Sequence, residues 1–261
     1  MMVKIESLQN ESVKHACKLA VSSAARKKEN ALFLEGLRLC CDAAETGIGI
    51  RQCFVTQQML EHEQEKLTQL LSCAAQVLLI SDAVAQKLSQ TQTPQGVFCI
   101  CEAPRMLQPL TPGKVYIALD HIQDPANLGA IIRTAEALGV SGAVLCGCCD
   151  AGNPKAQRAA MGSLLRMGLI EVQDLPAFLL EQKTRSGFRL LATTPDADAP
   201  KLTELSLAGG IIAVIGNEGN GVSEEVFSIC ERVTIPMKGR AESLNASMAA
   251  AITMWELVRA R

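Results

Sequence analysis

Two patterns of apolar and polar positions follow one another along the chain. Over about 10–26 the apolar residues recur every three to four positions, which predicts an opening helix. Similar spacing predicts helices at about 36–46 and 58–73, and short apolar runs predict strands at 32–34, 51–56, 77–80 and 97–101. This first pattern is typical of a small α/β unit.

From Val115 onward, apolar runs alternate with helical patterns. The runs predict strands at 115–119, 142–146, 188–193, 211–215 and 233–235, and helices are expected at about 127–139, 155–165, 176–184, 223–230 and 243–259. Such alternation indicates a mainly parallel sheet with helices on both faces. Open sheets of this kind bind ligands beyond the carboxyl ends of their strands, so the loops after the strands at 115, 211 and 233 are candidate site loops.

Residues 103–113 separate the two patterns. They contain three prolines and show no periodicity, which is typical of a linker. We therefore predict a first α/β domain over 1–102 and a second, larger α/β domain over 114–261.

The first candidate motif is the segment 124–135, which follows the strand at 115–119. Asn127 is a plausible cap for the next helix. At about 100° per residue, Arg133 points roughly 140° away from Leu128 and so lies off the apolar stripe of that helix. Spacing leaves two interpretations open: a functional cation near the helix start, or a surface arginine paired with Glu136.

The second motif is the glycine turn 216–221, which follows an apolar strand and carries Glu218 in its middle. Glycines in such a turn let backbone approach a phosphate, as in nicotinamide enzymes. In nicotinamide enzymes the glycine-rich turn normally follows the first strand of its domain, whereas the turn 216–221 follows a late strand. A plain turn, with glycines serving only positive φ, also remains open.

The third motif begins with Ile235-Pro236-Met237 and continues to the final helix. Lys238 and Arg240 offer two cations on a loop, suited to phosphate contact. Ser243 can cap the final helix. The apolar stripe on that helix fits either a core face or a dimer surface, and comprises Leu244, Met248, Ile252 and Trp255.

Charge and cysteine content narrow the functional classes. The formal net charge is −2, but residues 1–40 hold a local basic excess, either a solvated helix face or a nucleic-acid surface. The residues predicted to contact RNA are Arg26, Lys27, Lys28, Arg38, Lys238 and Arg240. The eleven cysteines do not form the two closely spaced Cys/Cys or Cys/His pairs that usually bind zinc. We therefore predict reduced thiols that behave as small hydrophobic residues, and no bound metal. No apolar run approaches the ~20 residues of a membrane span and the N-terminus lacks a signal stretch, so we predict a cytoplasmic protein.

Taken in order, the three motifs resemble those of the SpoU/TrmH branch of the SPOUT RNA methyltransferases. The first domain resembles the L30e-like RNA-binding domain of ribosomal RNA 2′-O-methyltransferases, notably in Phe33-Leu34-Glu35-Gly36-x-Arg38 and in Thr93-Pro94-Gln95-Gly96. The resemblance implies a C-terminal α/β domain with a trefoil knot and a homodimer whose active sites form at the interface. It also implies methyl transfer from S-adenosylmethionine (AdoMet) to a ribose 2′-oxygen, with 23S ribosomal RNA favoured over tRNA.

Site residues follow from the same resemblance. It assigns the cofactor to Thr193, Ile215, Gly216, Ile235, Met237, Leu244 and Asn245. It assigns activation of the ribose hydroxyl to Arg133, with Asn127, Glu218, Ser243 and Asn245 orienting the reacting groups. Because guanidinium is a poor base at neutral pH, stabilisation of the alkoxide or a grip on the adjacent phosphate suits Arg133 better.

Three other interpretations remain open from the sequence. One is a tRNA 2′-O-methyltransferase. Another is a non-catalytic RNA-binding or assembly factor that keeps the L30e-like domain and has an inactive methylase domain. A third is a nucleotide-dependent oxidoreductase built on the glycine turn.

Overall fold

The computed structural model describes residues 3–104 and 109–259 and separates into two compact units. The first unit holds the described residues up to Pro104 together with Gly152–Arg166, and the second holds the others. The predicted second domain includes residues 152–166, whereas their contacts group them with the first unit. Of the predicted linker, residues 105–108 lie outside the described residues.

The elements are named in chain order. The strands are β1 (Val3–Ile5), β2 (Ala31–Glu35), β3 (Ile50–Thr56), β4 (Val77–Ile80), β5 (Val97–Glu102), β6 (Val115–Asp120), β7 (Ala143–Cys146), β8 (Leu169–Val172), β9 (Arg189–Thr194), β10 (Ile211–Ile215) and β11 (Glu231–Thr234). The helices are α1 (Glu11–Val21), α2 (Ser23–Glu29), α3 (Leu37–Glu45), α4 (Gln57–His62), α5 (Gln64–Cys73), α6 (Asp82–Leu88), α7 (Pro125–Ala137), α8 (Pro154–Ala160), α9 (Ser163–Arg166), α10 (Leu175–Ser186), α11 (Glu224–Phe227) and α12 (Ala246–Arg259). A short 3₁₀ helix covers Leu202–Glu204.

The sheet of the first unit has the order β1-β4-β3-β5-β2 within the described chain. Strands β1, β4 and β3 run parallel, while β5 is antiparallel to both β3 and β2. Both faces are buried, because one core cluster contains Phe33, Phe54 and Phe98 and the other contains Cys53 and Cys99. The predicted small α/β unit is confirmed.

The sheet of the second unit has the order β11-β9-β10-β6-β7-β8 among the described residues, and every neighbouring pair is parallel. Every residue of β10 is buried, as its unbroken apolar run requires in a strand covered on both faces. The carboxyl ends of β9, β10 and β6 therefore share one edge of the sheet. The predicted parallel sheet is confirmed, although β8, which gives only a short apolar signal, was not predicted.

Three predicted helices are interrupted, and the one expected over 58–73 divides at Glu63 into α4 and α5. The helix expected over 10–26 breaks at Ser22, whose extended backbone places its hydroxyl to accept a hydrogen bond from Ala25 N and cap α2. The helix expected over 155–165 breaks into α8 and α9 where Met161 and Gly162 adopt φ of 50° and 86°. Helical periodicity continues through these three breaks, so spacing alone does not locate them.

The cysteines behave as small hydrophobic residues in the first unit. Cys40, Cys53, Cys99 and Cys101 are buried in one core cluster, and burial raises the pKa of the Cys40 thiol. All eleven are free thiols. Within residues 3–104 and 109–259, no group of three or more metal-ligating side chains is placed to hold a metal ion. None of the helices in this part of the chain combines the length and apolar character of a bilayer span.

Candidate active site

The glycine turn after β10 presents bare backbone. Asn217 and Gly221 exchange two backbone hydrogen bonds of 2.9 and 3.0 Å, which close the turn. The side-chain oxygen of Asn217 accepts from Gly219 N at 2.8 Å and fixes the residues between them. A Cβ on Gly216 would lie 2.0 Å from the carbonyl carbon of Gly221, so only glycine fits at that position.

A polar cluster joins all three motifs. The side-chain amide of Asn127 donates to Glu218 Oε1 at 3.0 Å, and its oxygen accepts from Asn245 Nδ2 at 3.1 Å. Asn127 is 8% exposed, whereas Glu218 and Asn245 are exposed, so these two hydrogen bonds are partly buried. The structure therefore brings together Asn127, Glu218 and Asn245, which lie far apart in the chain.

Glu218 serves as an acceptor that holds the loop after β6. Its carboxylate also accepts from the backbone N–H groups of Gln123 and Asp124, both at 3.3 Å. Burial raises the pKa of Glu218, but the hydrogen bonds from Asn127 and from backbone N–H groups outweigh burial and leave the pKa below its usual value. Glu218 is therefore ionised at neutral pH and its oxygens already bind donors, so it is poorly suited to accept a proton.

The helix caps differ from those predicted. Asn127 lies inside α7, and the cap is Asp124, whose side chain accepts from Ala126 N at 2.9 Å. At the last helix the cap is Asn245 and not Ser243, because Asn245 Oδ1 accepts from Ser247 N at 2.9 Å. Both capping predictions were wrong, and the correction leaves the Asn127 side chain free to join the polar cluster and Ser243 free of any capping role.

A pocket of about 470 Å³ opens beside this cluster, within the usual range for small-molecule sites. Its lining combines apolar side chains with the bare turn. It includes six of the seven residues predicted to bind a cofactor, namely Thr193, Ile215, Gly216, Ile235, Met237 and Leu244. Asn245, the seventh, lies next to this lining and bonds to Asn127 instead. Ser243 and Glu218 also line the pocket.

Arg133 lies on the exposed face of α7. Its guanidinium makes no hydrogen bond or ion pair with the described residues, and it does not line the pocket. The alternative pairing with Glu136 is thus not formed. Arg133 is an available cation about 1.7 turns along α7 from Asn127.

The six cations predicted to contact RNA fall into two groups. Lys27, Lys28, Arg38, Lys238 and Arg240 are exposed. Arg26 is only 5% exposed, and its guanidinium donates to the carbonyl oxygens of Leu19 and Ala20 at the end of α1. Arg26 is therefore a structural residue and is not accessible to RNA in this structure. The number of basic residues in the sequence does not distinguish exposed cations from a buried arginine such as Arg26.

Sequence reasoning missed two residues that hold the site. Asn217 donates from its side chain to the backbone oxygen of His121 at 2.7 Å, which ties the turn after β10 to the loop after β6. The buried carboxylate of Asp120 accepts from Ser223 N at 2.9 Å and from Ser223 Oγ at 2.8 Å. An asparagine or aspartate within two residues of the end of a buried strand is the signal that could have identified both.

The apolar stripe of α12 is exposed. Met248 and Trp255 are 54% and 55% accessible, and Ile252 and Leu244, which precedes α12, are also exposed. The opposite face of α12 is buried through Ala250, Met254 and Leu257. Of the two interpretations left open for this stripe, a core face of the single chain is wrong.

Comparison with known proteins places the chain in a family. Residues 114–255 match the SpoU rRNA Methylase family, and residues 10–99 match the MRM3-like substrate binding domain. The chain is 30% identical over 98% of its length to the 23S rRNA (guanosine(2553)-2′-O)-methyltransferase RlmP of Bacillus subtilis, of which it covers 99%. It is 32% identical over 99% of its length to an uncharacterized tRNA/rRNA methyltransferase of Synechocystis sp., of which it covers 94%.

Solved structures agree with this relationship. An AdoMet-bound rRNA methyltransferase from Sinorhizobium meliloti superposes with a TM-score of 0.86 at 27% identity, covering 99% of this chain and 98% of that one. The match spans both the substrate-binding and the methylase regions. The chain therefore belongs to the SpoU rRNA Methylase family.

Proposed function

We propose that this protein is an AdoMet-dependent methyltransferase that modifies a ribose 2′-oxygen of 23S ribosomal RNA. The observation that carries the proposal is the Asn127–Glu218–Asn245 cluster, which unites the three motifs beside a pocket of cofactor size. The full-length similarity to RlmP, which by name modifies a guanosine of 23S rRNA, favours ribosomal RNA over tRNA.

The pocket fits AdoMet. Its floor is backbone at Gly216, where a side chain would collide with Gly221, and its walls include Ile215, Ile235 and Leu244. Apolar walls with exposed backbone donors and acceptors suit an adenosine, whose base is flat and whose edges form hydrogen bonds. AdoMet supplies a methyl group already activated by its sulfonium. The residues around the pocket hold and orient, and none needs to form a covalent bond.

The remaining residues act on the ribose hydroxyl. Because a guanidinium is a poor base, the role of Arg133 is electrostatic: it stabilises the alkoxide that develops at the 2′-oxygen, or binds the adjacent phosphate and lowers the pKa of the hydroxyl. Asn127, Glu218 and Asn245 fix the loops around the reacting atoms, and Ser243 lines the pocket with a hydroxyl. A misplacement of about 1 Å would cost a large factor in rate, which is why a hydrogen-bonded scaffold matters here.

Methylation of unmodified RNA tests this proposal. Purified protein with AdoMet is expected to methylate unmodified 23S rRNA and not tRNA, and resistance to alkaline hydrolysis maps the modified ribose. Methylation of tRNA alone would favour a tRNA 2′-O-methyltransferase. Tight binding of 23S rRNA without transfer would favour an assembly factor, and binding of NAD in place of AdoMet would favour an oxidoreductase.

The protein acts as a homodimer and is located in the cytoplasm. Charged residues are absent from the exposed stripe of Leu244, Met248, Ile252 and Trp255, as at the centre of stable interfaces, and a second copy offers a matching stripe. The stripe continues directly from Leu244 in the pocket lining, so pairing would shield the cofactor pocket. Association with ribosomal RNA supports the cytoplasmic location.

Replacing Trp255 with glutamate tests the dimer. Because Trp255 would be buried at the centre of the interface, an unpaired charge there should convert the dimer to a monomer in sedimentation velocity and lower methylation strongly. The matched control is Leu180→Glu, which changes an exposed leucine of α10 outside the stripe. A Trp255→Glu protein that stays dimeric would rule out this interface.

A further inference from the structure

The first unit contains the two motifs Phe33-Leu34-Glu35-Gly36-x-Arg38 and Thr93-Pro94-Gln95-Gly96, and hydrogen bonds join them. Glu35 is the last residue of β2, and its carboxylate accepts from Ser89 Oγ at 2.5 Å, Gln90 N at 2.8 Å and Thr91 Oγ1 at 2.9 Å. Gln95 Oε1 accepts from Leu37 N at 2.8 Å at the start of α3. These bonds hold the loop 89–96 against the start of α3, so the two motifs form one rigid support.

A groove of about 450 Å³ lies beside this support. Its walls come from the β2–α3 junction, from loop 89–96 and from α8, all within the first unit. Its lining includes both polar and apolar side chains, and the residues relevant here are Arg38, Thr91, Thr93, Gln95, Arg158 and Met161. Arg158 belongs to the segment that sequence assigned to the other domain.

The lining of the groove carries two arginines and two carboxylates, and they differ in whether they already have partners. Its acids are occupied, because Glu35 binds three donors and Asp42 pairs with Arg166 at 3.4 Å. The guanidinium groups of Arg38 and Arg158 are exposed and have no ion-pair partner in the described part of the chain. Two available guanidinium groups in a preformed groove are suited to a phosphate, which accepts their paired N–H donors.

The groove also offers an apolar contact. Met161 is exposed and lines the groove in a left-handed conformation (φ 50°), a strained backbone for a residue with a side chain. Its flexible thioether can pack on the face of an unpaired base. Cations for the backbone and an apolar surface for a base together suit single-stranded RNA.

We propose that this groove binds a single-stranded segment of the RNA substrate, with Arg38 and Arg158 holding its phosphodiester backbone. The proposal rests on the proposed function for the identity of the RNA, and adds a site whose second cation comes from α8. Segment Gly152–Arg166 thereby contributes to substrate selection as well as to the core of the first unit.

Alanine substitutions in the full-length protein test the groove. Arg38→Ala and Arg158→Ala are each expected to weaken binding of the shortest 23S rRNA transcript that the wild type binds by about tenfold, as charge-assisted contacts typically do. Each should also reduce the slope of log Kd against log salt by about 0.7, the value for one phosphate contact on a single strand. The RNA affinities of Arg38→Lys and Arg158→Lys should fall between those of the wild type and the alanine variants, because lysine keeps the positive charge but lacks the paired N–H donors of guanidinium.

The matched control is Arg185→Ala on α10, which removes the same charge from a side chain that is 78% exposed. This variant should bind RNA like the wild type. Anisotropy with labelled RNA measures binding independently of methylation, so the groove and the proposed function can fail separately. Arg38→Ala and Arg158→Ala proteins that keep wild-type melting temperature, affinity and salt slope would overturn the groove proposal, whereas lack of methylation by the wild type counts only against the function.

Discussion

Gly216→Ala is expected to abolish cofactor binding and to destabilise the protein by several kcal/mol. The added Cβ would lie 2.0 Å from the carbonyl carbon of Gly221 and 2.1 Å from Val222 N, and neither backbone atom can move without opening the turn. The turn is closed by the Asn217–Gly221 hydrogen bonds, so opening it also releases Asn217 from the loop after β6. Calorimetric titration with S-adenosylhomocysteine and thermal unfolding measure the two effects.

Gly219→Ala provides the matched control in the same turn. A Cβ on Gly219 would meet only the side-chain oxygen of Asn217, at an ordinary contact distance of 3.4 Å. This variant should keep the melting temperature of the wild type and bind the cofactor within several-fold. Equal behaviour of the two alanine variants would show that the close approach at Gly216 does not control the pocket.

Arg133→Ala is expected to lower the methylation rate by about 10²–10³-fold or more, the range for loss of one electrostatic donor at a reacting oxygen. The cofactor should bind within several-fold of the wild type, because Arg133 does not line the pocket. Folding should be unaffected, since the side chain is exposed and has no partner among the described residues. Single-turnover methylation and calorimetry separate the two quantities.

Arg133→Lys distinguishes the electrostatic role from a proton-accepting one. A lysine keeps the positive charge and loses the planar fork, so partial activity supports stabilisation of charge on the ribose or its phosphate. The pH dependence of the rate should then keep its wild-type form. Near wild-type methylation by Arg133→Ala would remove Arg133 from the chemistry.

Much of the second unit was predictable because its signals are local. The unbroken apolar run of β10 is what burial on both faces demands, and the glycines after it mark a turn that side chains cannot occupy. Six of seven predicted cofactor residues line one pocket, since they lie at or beyond the carboxyl ends of parallel strands that share an edge. Their roles in binding stay predictions until measured.

The features that sequence did not predict depend on tertiary packing. Ser243 and Asn245 are both good capping residues, and only the path of the chain decides that Asn245 caps α12. Arg26 has the same charge as its neighbours Lys27 and Lys28, but the turn between α1 and α2 directs it toward backbone carbonyls. Periodicity likewise cannot show that residues 152–166 pack with the first unit, because that grouping is a long-range contact.

The membership of segment Gly152–Arg166 in the first unit has a consequence for biosynthesis. Leu165 packs into the hydrophobic cluster that contains Leu34 and Val97, yet it leaves the ribosome about sixty residues after that unit's last strand. At typical elongation rates this delay is roughly 3–12 s, during which the nascent N-terminal part has an incomplete core. Chaperone capture during translation would therefore act mainly on this interval, and a stop codon near residue 104 would yield a fragment with an uncovered apolar surface.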